Sequence, residues 1–143
     1  MFVKQISVFL ENKPGKLSQV TDILEKNNID IKAISIADTT EFGILRMIVD
    51  KPKEAVEAIK AEKFPVSTTD VLAVEVTDKP GGLNRALQIL NDAGVSVEYL
   101  YSFIKRNGER ALILFRVEEP ERAVEVLQSA GIKLYSTEEI NSL

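Results

Sequence analysis

ENKPGKLSQVTDIL, residues 11–24, and TDKPGGLNRALQIL, residues 77–90, are two versions of one segment at an offset of 66. Each opens on a Lys-Pro-Gly turn and continues as an amphipathic run. Leu17, Val20, Thr21, Ile23 and Leu24 match Leu83, Ala86, Leu87, Ile89 and Leu90, apolar or small at three- and four-residue spacing, which predicts one buried helix face in each copy. Ahead of each turn, Ile6, Val8 and Leu10 match Leu72, Val74 and Val76 in the alternation of a strand. Asn27-Asn28 and Ala93-Gly94, tolerant of left-handed backbone, end the two helices.

The repeat extends outward from there. IDIKAISIA and VSVEYLYSFI read as second strands, GILRMIVD and ALILFRVE as third strands, and the connection between them is two residues longer in the second copy. From Pro52 and Pro120 onward the offset is therefore 68. Both prolines suit a first helical turn, and Ala55, Val56 and Ile59 match Ala123, Val124 and Leu127 as its buried stripe. FPVSTTD and IKLYSTE close the copies as short strands. The order strand, helix, strand, strand, helix, strand, repeated, predicts an α+β protein of two tandem ferredoxin-like βαββαβ units with antiparallel sheets and helices on one face. The boundary falls between residues 68 and 71, giving units 1–69 and 70–143, and no Gly/Ser-rich spacer separates them.

Both faces of the third strands are partly apolar: Leu45, Met47 and Val49 alternate with Ile44, Arg46 and Ile48, and Leu112 and Leu114 with Ile113, Phe115 and Val117. The face away from the helices is thus expected to meet protein, and an apolar edge strand needs a partner. Pairing the edges of the two copies, or of two chains, would supply it, and a homodimer is the expectation.

Composition excludes several function classes. Among 143 residues, 45% are apolar, enough for a core, and 18 Lys and Arg stand against 22 Asp and Glu, a net charge of −4 that suits a phosphate backbone poorly. No apolar run nears the roughly 18 residues of a membrane span, and MFVKQISVFLENK does not read as a signal peptide, so a soluble, cytoplasmic protein is expected. The chain lacks His, Cys and Trp, which removes Ser-His-Asp and Cys-His nucleophiles and the imidazole and thiolate metal ligands. Phosphate-binding Gly-rich motifs are absent. Glu118-Glu119 and Glu138-Glu139, at a helix start and near the chain end, read as solvated surface, and Lys13, Lys16, Tyr99 and Tyr101 as snorkelling lysines and packed tyrosines. No catalytic residue, metal or cofactor is expected.

Within each turn, Pro14 and Pro80 fix φ while Gly15 and Gly81 permit a sharp bend, bringing the first helical N–H groups to the end of a strand where an anion could be received. Asn12 and Asp78 place a side-chain oxygen nearby, for a ligand or for Asx-type bonds that tie the turn together.

An acidic or Asn residue, then Pro-Gly, then Leu two positions on, opening the first helix of a βαββαβ unit, resembles the ACT domain. ISVFLENKPGKLSQVTDILEKNNIDI is similar to the regulatory small subunit of acetolactate synthase. Covering nearly the whole chain as tandem copies, the resemblance is to a stand-alone double-ACT protein. It implies a regulatory module that binds a small effector, usually an amino acid, between ACT units, where the first turn of one faces the second strand of its neighbour. Carried over by position, the ligand loops hold Asn12, Pro14, Gly15, Lys16 and Leu17, and Asp78, Pro80, Gly81, Gly82 and Leu83. The facing stretches are residues 29–34 and 95–100. Lys16, able to attract a carboxylate, becomes Gly82, so the two sites are expected not to be equivalent.

The expected function is amino-acid sensing in control of a metabolic enzyme, by coupling of ligand binding to the arrangement of the units or to a partner. The alternative is a ligand-free assembly module that scaffolds a partner enzyme. An RNA-binding reading lacks exposed aromatics among basic residues on the central strands, and a metal-chaperone reading lacks cysteines.

Overall fold

Proline and glycine mark the element ends. Pro52 and Pro120 are the first helical residues of their helices, where a missing N–H costs nothing. Gly15 and Gly81 cap the helices that follow the turns. The computed structural model describes residues 1–38, 41–105 and 108–143. The elements are β1 (Val3–Glu11), α1 (Lys16–Lys26), β2 (Ile31–Asp38), β3 (Phe42–Val49), α2 (Pro52–Ala61) and β4 (Val66–Thr77), then α3 (Gly82–Asp92), β5 (Val97–Ser102), β6 (Arg110–Val117), α4 (Pro120–Ser129), β7 (Leu134–Tyr135) and α5 (Thr137–Asn141). The predicted two-residue difference in connection length involves residues 39–40 and 106–107, outside those described. The chain divides into a first unit, Lys4–Thr69, and a second, Asp70–Leu143 with Met1–Val3.

In the first unit β3 lies between β2 and β1, antiparallel to both, with Ile6 opposite Met47 and Leu10 opposite Gly43. Its core joins Ile6, Val8, Leu10, Leu45, Met47 and Val49 of the sheet to Val20 and Leu24 of α1 and Ala55 and Ile59 of α2. In the second unit the antiparallel order is β5, β6, β4, β7. Its core joins Leu72, Val74, Val76, Phe115 and Val117 to Ala86 and Leu90 of α3 and Ala123 and Leu127 of α4. Each buried Leu, Ile or Val contributes about 1.5 to 3 kcal/mol, so the period-2 and period-3.6 patterns select these faces strongly. Asn28 and Gly94 take positive φ at the helix ends, as predicted.

Two expectations need correction. The closing strand read over residues 132–138 is confined to Leu134–Tyr135, because Ser136 and Glu139 form a capping box that starts α5 instead. Glu139 is therefore not mere solvated surface: its side chain accepts from the Ser136 N–H and pairs with Lys133 at 3.2 Å. On the face away from the helices, Ala33, Ile48, Leu112 and Leu114 are buried, as is the polar Gln5.

Candidate functional site

The two turns have one backbone design. Gly15 at φ 87° and Gly81 at φ 89° both take the left-handed conformation. Asn12 N–H donates to the Glu41 carbonyl and Asp78 N–H to that of Glu109, each at 2.8 Å. Lys13 and Lys79 donate to Glu11 and Thr77 at 2.8 and 2.9 Å, and Lys16 and Gly82 to Lys13 and Lys79 at 3.3 and 3.0 Å. Gln19 and Arg85 donate to the carbonyls of Gly15 and Gly81 at 3.0 Å. The first helical amide, expected to await an anion, is thus engaged by the turn itself.

The side chains differ. Asn12, Pro14, Asp78 and Pro80 are exposed in both copies, while Lys16 is half-buried. Leu83 packs against the core of its unit, but Leu17, predicted on the buried face of α1, is 42% exposed. The residues that precede these two leucines also differ. A Cβ built on Gly82 would lie 1.9 Å from the Thr77 carbonyl oxygen, so only glycine lets α3 start this close to its strand. At the matching position of the first turn Lys16 carries a Cβ and a long side chain of its own. Of the facing stretches, Ile29 and Val95 are buried in the cores of their own units.

A cleft adjoins each turn. In the first unit it has a volume of about 910 Å³ and lies between the flank of α1 (Lys16, Gln19, Ile23), the end of α2 and the strand residues Phe9, Glu11 and Phe42. Phe9 and Phe42 are 47% and 53% exposed. Glu11 pairs with Lys13 at 2.9 Å. That hydrogen bond, then the charge of Lys13 and more weakly that of Lys16, lowers the Glu11 pKa against a small burial effect. In the second unit the cleft is about 620 Å³ and is lined by Thr77, Lys79, Pro80, Gly81, Gly82, Arg85 and Arg110 among others. Of the residues singled out from sequence, Lys16 thus lines the first cleft and Pro80, Gly81 and Gly82 the second.

Beside the second cleft is a network that the sequence reading missed. Glu75, nearly buried, accepts hydrogen bonds from Arg110 and from the Tyr135 hydroxyl. Burial pushes its pKa up, but the bonds from Tyr135 and Arg110, with the charge of Arg110, outweigh burial and hold it below the usual carboxylate range. Lys133 lies 4.5 Å from the Tyr135 ring centre. The signal was a lone Glu between Val74 and Val76, informative only once the register places Arg110 opposite Thr77, diagonally across from Glu75. Lys13 is ion-paired and Tyr99 and Tyr101 are half-buried on β5. Among the described residues no group of three His, Cys, Asp or Glu could hold a metal ion, and no helix is long and apolar enough to cross a membrane.

A family model described as the ACT domain pair matches residues 1–143. Among solved structures, protein BT0572 from Bacteroides thetaiotaomicron is similar over 100% of this chain and 98% of its own, at 38% identity and a TM-score of 0.94. The ligand-free regulatory subunit of aspartate kinase from Thermus thermophilus aligns over 89% of this chain and 91% of its own, at 20% identity and a TM-score of 0.65. The corresponding subunit from Thermus flavus aligns over 90% and 92%, at 16% identity and 0.62. These last two share the fold. No curated protein matches the sequence.

Proposed function

Because the chain belongs to the ACT family as an ACT domain pair, we propose that it is a non-catalytic regulatory protein that binds a small effector, an amino acid, through its Lys-Pro-Gly turns. In this reading it acts in the cytoplasm as a homodimer and controls an enzyme of amino-acid metabolism. The observation that carries the proposal is the pair of turns. The same four kinds of backbone hydrogen bond and the same left-handed glycine recur in both units, each beside a cleft at a helix N-terminus. A frame closed by main-chain bonds presents Asn12 and Lys16, or Asp78, at fixed positions, and such pre-organisation favours small-ligand binding.

The test is thermal melting of the purified protein against each common amino acid at millimolar concentration. A ligand at a hundred times its Kd stabilises the folded state by about 2.7 kcal/mol. That raises the midpoint by several degrees for a chain of this size. A shift with one amino acid, reduced in Asn12→Ala or Asp78→Ala, supports the proposal and shows which copy binds. No shift with any of them would instead favour a ligand-free module that scaffolds a partner enzyme.

A further inference from the structure

The two clefts can be compared position by position, since the amide of Phe9 donates to the Pro65 carbonyl as that of Glu75 does to Lys133, both at 3.0 Å. Phe9 corresponds to Glu75, Phe42 to Arg110, Lys16 to Gly82 and Gln19 to Arg85. At each of these positions the second unit satisfies itself. Glu75 and Arg110 pair with one another where the first unit exposes two aromatic rings. Arg85 reaches across to the Ala130 carbonyl at the end of α4, at 3.1 Å. The Thr77 carbonyl occupies the space that a side chain at position 82 would need, so no cation can be placed where the first unit has Lys16.

Resting on the effector reading above, we infer that only the first unit's cleft takes the ligand, one per chain, and that it selects a carboxylate with a large apolar or aromatic side chain. Lys16 supplies the charge for the carboxylate, and its field already reaches Glu11, the register partner of Phe42. Phe9 and Phe42 supply the apolar wall, which an aromatic ring can stack against. Glu75, Arg110 and Arg85 are the second unit's own substitute for a ligand.

The experiment is calorimetric titration with L-phenylalanine, with L-aspartate and L-lysine as comparisons. One phenylalanine per chain is expected. Lys16→Gly, which copies the second turn, should weaken it about tenfold to a hundredfold, the range for one charge-assisted hydrogen bond. Phe9→Glu with Phe42→Arg, which transplants the second unit's ion pair onto exposed positions, should abolish binding, and Arg85→Gln should leave one site of unchanged affinity. Two sites per chain, binding indifferent to Lys16→Gly, or preference for aspartate or lysine would overturn the inference and leave the effector reading standing. So would a Phe9→Glu, Phe42→Arg protein that binds phenylalanine normally but sediments at a lower mass, which would assign the rings to contact between copies. Failure of every amino acid to bind would remove the effector reading itself.

Discussion

Gly82→Ala tests the packing that separates the two turns. The added Cβ would lie 1.9 Å from the Thr77 carbonyl oxygen and 2.9 Å from its carbon. An ordinary carbon–oxygen contact begins near about 3.3 Å, so the carbonyl must withdraw by about 1.4 Å. That oxygen accepts the Lys79 amide at 2.9 Å, and Thr77 is the last residue of β4 in register with β6. Overpacking of this kind costs about 1 to 3 kcal/mol, and a lost hydrogen bond adds about 1. Alanine's advantage over glycine in a helix returns up to about 1. The net loss is about 2 kcal/mol, a fall in the melting midpoint of about 4 to 8 °C. The control is Lys16→Ala at the matching position, where a Cβ is already accommodated and the change should stay within about 0.5 kcal/mol. Both are read by circular dichroism melts. A Gly82→Ala midpoint within 1 °C or so of the parent, or a larger fall in Lys16→Ala, would show that the Thr77 carbonyl yields freely and that this account of the second turn is wrong.

Glu75→Gln should destabilise the protein by about 1 to 2 kcal/mol at neutral pH, since hydrogen bonds to a charged group exceed neutral ones and Arg110 is largely solvent-screened. The folded carboxyl has the lower pKa, so the parent's advantage is full above the ordinary value of 4.5 and is lost as pH falls through the folded value. Melts that show a constant difference from pH 7 to pH 3 would refute the pairing; these pH values are roughly those that bracket carboxylate titration. Ser136→Ala removes the cap of α5 and should cost about 1 kcal/mol, measured as a small drop in the midpoint. An unchanged midpoint would mean that α5 contributes nothing to stability.

The fold was legible because two independent copies of one pattern had to agree. The alternation of Ile6, Val8 and Leu10 and the spacing of Val20 and Leu24 recur in the second copy, and the structure buries all of them. The α5 capping box, Ser136 to Glu139, was also written in the sequence, but an expected closing strand overrode it. Leu17 could not be read correctly from periodicity, which assigns it the same face as Val20. Its exposure is a matter of tertiary packing, at a turn where Lys16 stands in the place of Gly82. The Glu75 network was likewise hidden, because it depends on cross-strand register and on Tyr135 from the far end of the chain. At the candidate site the sequence located the turns and the loss of Lys16 at Gly82. It did not show that Glu75, Arg110 and Arg85 at the second cleft bond to groups of their own unit, since that rests on distances rather than residue types.

Both turns are closed by the same set of main-chain hydrogen bonds, with no side-chain cap on Gly15 or Gly81. Such a frame behaves as a socket whose fittings can be exchanged. Position 16 of the first turn can be randomised to build a sensor library without rewriting the scaffold, while Gly15, Gly81 and Gly82 must be kept. The second copy serves as a built-in reference: a variant that responds to a new ligand reports it against an unaltered neighbour of the same architecture.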